Sequence, residues 1–131
     1  MSDTWTKYYE EVAPRLGKRR DSFDTMFTFL GEFKHPTIVE TGTYREHDNY
    51  EGDGCSTLLF DKYIECYGGN LISIDIDPKA CQLARSATTE ALVIQRDSVE
   101  VLGEMEGRVN LLYLDSYNID DWNNDWAPAA H

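Results

Sequence analysis

With 131 residues the chain has room for one compact domain around a single core and little room for a second. Its composition, 41% hydrophobic and 12% aromatic, suits a packed globule rather than a disordered segment. The net charge of -12 opposes binding to nucleic-acid phosphates and to anionic bilayers, so neither nucleic acid nor membrane is an expected partner and a small or cationic molecule is.

The first 36 residues read as a helical segment preceding the main domain, which is expected over 37–131. Trp5, Tyr8, Tyr9, Val12 and Leu16 recur at three- and four-residue spacings on one helix face. Gly17 and the basic run Lys18-Arg19-Arg20 suit a helix end, and Asp21 or Ser22 is placed to cap a second helix carrying Phe23, Met26, Phe27 and Leu30, closed by Gly31. This aromatic stripe either packs on a sheet or forms a lid over a ligand.

Pro36 breaks the helical pattern ahead of a first strand at Thr37 to Glu40. After a polar stretch, Ser56 or Thr57 starts a helix with Leu59, Phe60, Tyr63, Ile64 and Tyr67 facing inward, ended by Gly68-Gly69. Leu71 to Asp75 is apolar enough for a strand buried on both faces. Asp77 caps and Pro78 opens a helix to about Thr88, with Ala80, Leu83, Ala84 and Ala87 inward. Leu92 to Gln95, Val99 to Met105 and Val109 to Leu114 follow as strand, helix and strand, and the acidic tail from Asp120 to Pro128 reads as loop.

Three stretches stand at the expected strand ends: Glu40-Thr-Gly-Thr43 with Gly52-Asp-Gly54, then Ser73-Ile-Asp-Ile-Asp-Pro78, and then Gln95-Arg-Asp-Ser98. A glycine turn after a strand, with an acid at the end of the next strand roughly twenty residues on, builds a nucleotide pocket at the carboxyl edge of a parallel sheet. Together with Asn110-Leu-Leu-Tyr-Leu-Asp-Ser116, these stretches resemble, in order, the strand ends of class I S-adenosylmethionine-dependent methyltransferases. The likeness spans residues 36–120, and it departs from the family pattern by inserting Tyr44 to Glu51 inside the glycine turn. It implies an α/β, Rossmann-like three-layer sandwich with a mostly parallel sheet. The family's sheet has seven strands, so the chain is expected to be cut short after the fourth, with an exposed edge there that favours pairing with a second copy.

The resemblance also implies S-adenosyl-L-methionine as cofactor and a small-molecule oxygen or nitrogen as methyl acceptor. In that reading Glu40 receives the methionine amino group and Gly42 leaves room for the ligand, with Thr43, Gly54 and Ser56 completing the turn. Asp75 accepts from both ribose hydroxyls, and Asp97 with Ser98 meets the adenine. A plain turn with glycine at positive φ is the other reading of Gly42, and a helix cap that of Asp97. Asp115 corresponds to an acid that binds Mg²⁺ in catechol-type O-methyltransferases, although one aspartate does not make such a site. It is otherwise an acid of the cofactor or acceptor pocket. Asp115 and His47, the latter inside the inserted loop, are the candidate catalytic residues, a solvated loop histidine being the other reading of His47. The insertion itself is expected to act as a flap over bound cofactor.

Two alternatives stay open. One is a non-catalytic module binding S-adenosylmethionine or another nucleotide. The other is a nicotinamide-dependent oxidoreductase, although the contiguous Gly-x-Gly-x-x-Gly is absent. Cys55, Cys66 and Cys81 form no CxxC pair, charges interrupt the opening residues, and no stretch reaches membrane-spanning length. A reducing, cytoplasmic setting is expected.

Overall fold

The computed structural model describes residues 3–43 and 55–114. Helix α1 (Asp3–Val12) passes into a 3-10 stretch (Ala13–Arg19) that turns sharply at Gly17, and α2 (Arg20–Leu30) follows directly. Strand β1 (Thr37–Thr41), α3 (Ser56–Tyr67), β2 (Asn70–Asp75), α4 (Pro78–Ala87), β3 (Ala91–Gln95), α5 (Ser98–Glu104) and β4 (Leu111–Leu114) complete the described chain. The strands form one parallel sheet in the order β3-β2-β1-β4, the α/β arrangement expected from the alternating pattern. Among the described residues β4 pairs with β1 alone and forms one edge of the sheet.

Two sequence expectations shift for local reasons. Neither Asp21 nor Ser22 caps α2, because the chain enters from the 3-10 stretch already helical and the Arg20 N–H already donates to the Gly17 carbonyl. Ala87, expected inward, is exposed, and Cys81 takes the buried position on α4 beside Ala80 and Ala84. Asp77 does cap α4, its carboxylate accepting from the Lys79 N–H, with Pro78 opening the helix. The glycine pair after α3 is obligatory. Gly69 has φ of 119°, and a side chain there would place its first carbon 2.3 Å from the Pro36 carbonyl oxygen.

The two faces of the sheet are covered unequally. One bears Ile38, Leu71, Leu111 and Tyr113 under α1, the 3-10 stretch, α2 and α3 in one continuous core. That core is aromatic: Phe27 lies 4.6 Å from Trp5, 5.7 Å from Phe60 and 5.5 Å from Tyr63 between ring centroids. The stripe on α1 and α2 therefore packs on the sheet face, and residues up to Leu30 share a core with it. Arg19 stacks over Phe23 and donates 2.9 Å to the Tyr113 hydroxyl, tying the edge strand to the helical segment. The opposite face bears Val39, Ile72, Ile74 and Ile94 and is met by Val101 and Leu102 of α5 and by Met105 just after it.

Candidate functional site

The parallel register sets the carboxyl edge. Glu40 lies beside Ser73, and Asp75 beside Gln95, so Glu40, Ser73 and Asp75 lie on one face of neighbouring strands, looking toward α3. Glu40 is fully buried. Its carboxylate accepts from the Ser56 hydroxyl on one oxygen and from the Thr57 and Ser73 hydroxyls on the other, the last at 2.8 Å. Cys55, at the N-cap of α3, makes no side-chain capping bond, so Glu40 places its charge at the positive end of that helix from the neighbouring strand. Glu40 and Ser56, both expected to touch cofactor, thus meet each other. They lock β1, β2 and the start of α3 together.

Asp75 is also buried, but differently held. Oδ2 accepts from the Thr43 N–H at 3.1 Å and Oδ1 from the Asp77 N–H at 2.9 Å. These bonds draw the turn after β1 onto the end of β2. Gly42 makes the turn possible: its φ is 84°, and its N–H donates 2.8 Å to the Ile74 carbonyl. The Thr43 side chain is 1% exposed, yet its hydroxyl has no hydrogen-bond partner among the described residues, and the same holds for Thr41. A buried hydroxyl without a partner costs about 1–3 kcal/mol. At Thr43 it stands beside the Asp75 carboxylate, which accepts from the Thr43 N–H, a setting suited to a polar ligand group at this edge.

Asp97 is exposed and accepts from the Val99 N–H at 3.1 Å, capping α5, with Ser98 half-buried as its first residue. The cap leaves oxygen lone pairs for a further donor. Cys81 lies under the same edge, its thiol 3.4 Å from the Asp75 carbonyl. Burial and the Asp75 charge push that thiol up from its ordinary range, which disfavours the nucleophilic thiolate. Gly54, His47, Asp115 and the insertion Tyr44 to Glu51 lie outside the described residues. Among the described residues no group of three or more His, Cys, Asp or Glu side chains could hold a metal ion, and no helix is long and apolar enough to cross a membrane.

Asp61 went unnoticed in the sequence. Buried on the inner face of α3, it accepts from the N–H groups of Thr89, Glu90 and Ala91 at 2.8–3.0 Å and fixes the approach to β3. The available signal was an acid at an inward position between Phe60 and Tyr63. Ser73 carried the same kind of signal as a polar residue inside an apolar strand.

No family model, curated protein or solved structure matches the chain.

Proposed function

We propose that this chain binds S-adenosyl-L-methionine at the carboxyl edge of β1, β2 and β3 and belongs to a methyltransferase acting on a small-molecule oxygen or nitrogen acceptor in the cytoplasm. One observation carries the reading. The parallel order β3-β2-β1-β4 sets acids at the carboxyl ends of β1, β2 and β3, with a positive-φ glycine turn and, between the first two, a Thr43 hydroxyl without a partner among the described residues.

The residues present fit such a ligand in part. Asp75 would hold the ribose hydroxyls and Asp97 with Ser98 the adenine, while Gly42 and Thr43 line the approach. Glu40 acts one step back: with both oxygens engaged by three hydroxyls, it orients the β1 turn and the start of α3. The bound cofactor would supply a methyl group already activated by its sulfonium charge. The chain's own part is then to orient it and to exclude water, and an oxygen acceptor needs a base to take its proton. Asp115 and His47 are the proposed candidates, Asp115 also for Mg²⁺.

Calorimetry with S-adenosylmethionine, its demethylated product and NAD tests the proposal. Saturable binding of the first two and not of NAD is expected. Asp75→Ala should weaken that binding by about 1.5–3 kcal/mol, the range for a hydrogen bond to a charged group. NAD binding alone, or unchanged affinity in a folded Asp75→Ala protein, would overturn it. A methyl-transfer assay separates an enzyme from a binding module.

A further inference from the structure

At the other end of the strands, where α2 runs into β1, lies a cavity of about 660 Å³, within the size range of small-molecule sites. Its wall is built from Trp5, Tyr9, Phe27, Tyr63 and Tyr67, contributed by α1, α2 and α3. Trp5 stacks on Tyr9 at 5.4 Å and meets Tyr63 edge-on at 5.2 Å, so the rings are fixed by one another. Asp24, Glu32, Lys34 and His35 supply the charged or titratable groups of the lining.

Three features distinguish this cavity from a packing gap. Asp24 is held in place by the Tyr9 hydroxyl, which donates to its Oδ1, while among the described residues Oδ2 has a 3.9 Å contact with the exposed Arg20 guanidinium. That leaves the half-exposed carboxylate with acceptor capacity beside the aromatic wall. Burial, reinforced by the Asp24 hydrogen bond and charge, holds the Tyr9 phenol well above its ordinary range, so Tyr9 stays a neutral donor. Glu32 makes no ion pair among the described residues, and the chain as a whole carries a net charge of -12. His35 is the sole described residue other than glycine with positive φ, at 58°. This conformation costs energy in most side chains and gathers at ligand sites. Its ring sits where a side chain on Gly68 would approach within 2.5 Å of Nδ1, so the turn into β1 and the end of α3 together set the imidazole at the cavity.

We infer that this cavity is a second binding site, separate from the strand carboxyl edge, for a small organic cation carrying an aromatic ring. The ring would pack among Trp5, Phe27 and Tyr63, and the ammonium would bond Asp24 with Glu32 nearby. Aromatic faces attract cations, and the half-exposed Asp24 carboxylate adds a charge-assisted hydrogen bond.

The test uses phenethylamine and 3-phenylpropionate, which share ring and chain and differ in charge, titrated calorimetrically into the full chain. Saturable binding of the amine at least about tenfold tighter than the acid is expected. Asp24→Asn should remove most of that preference. Thr28→Trp, which fills the cavity from an exposed position on α2, should abolish amine binding with the far-ultraviolet spectrum unchanged. If Asp24→Asn does not fold, Glu32→Gln takes its place and should lower the preference. Asp75→Ala, at the opposite end, should leave amine binding intact, so this inference and the cofactor reading fail independently. Absence of saturable amine binding, equal affinity for the two probes, or binding untouched by Thr28→Trp would each overturn it.

Discussion

The two faces of the sheet differ in how their apolar side chains are covered. On one, Ile38 and Leu71 are fully enclosed beneath the helical cover, packed with Phe60 of α3. On the other, Leu92 and Leu112 remain 59% and 43% exposed on either side of the patch that α5 covers. Parallel strands are ordinarily buried on both faces. The difference teaches that the aromatic face holds the described fold together. It also shows that the buried acids Glu40 and Asp75 work as connectors on that same face before they work on any ligand.

Substitutions on the aromatic face should have the largest effect. Phe60→Ala is expected to cost about 3–5 kcal/mol in urea unfolding, because a fully enclosed ring touching Phe23, Phe27 and Tyr113 leaves a cavity that its neighbours cannot collapse. A cost below that of Leu112→Ser would invert the comparison. Glu40→Ala comes next. It leaves three buried hydroxyls without their acceptor, at about 1–3 kcal/mol for a group so orphaned, whereas Glu40→Gln, which keeps an acceptor oxygen, should lose less. Equal losses for the two would show that charge at the α3 N-terminus, rather than hydrogen-bond acceptance, is what matters.

Tyr9→Phe should cost about 1 kcal/mol near neutral pH through the lost bond to Asp24. Its pH dependence is more telling. The folded protein holds this phenol above its ordinary value of 10.0, so native molecules bind more protons than unfolded ones once the pH passes that value. The Tyr9 contribution is therefore fully present below about pH 10 and is lost as pH rises beyond it. Tyr63, raised by burial and by Tyr67, adds in the same direction. Stability of Tyr9→Phe should fall less steeply in alkaline solution than that of the parent, and parallel curves would refute the link. The smallest effect is expected from Leu112→Ser on the open face, within about 0.5 kcal/mol.

Much of this arrangement was legible in the residues themselves. Hydrophobic runs, Gly68-Gly69, and Asp-Pro or Asp-Ser at helix starts act within a few positions, so strand and helix order, the Asp77 and Asp97 caps and the parallel α/β class follow from local preferences. Long-range pairing is different in kind. That Glu40 would spend its oxygens on Ser56, Thr57 and Ser73, that Asp61 would hold the loop before β3, and that Trp5 would meet Tyr63 beside a cavity depend on how strands pair and how helices pack on them. The sequence alone identified the acids at the strand ends. Only the tertiary structure decided which of them are enclosed by internal donors, because that depends on groups sixteen to thirty-three residues away being brought within hydrogen-bonding reach.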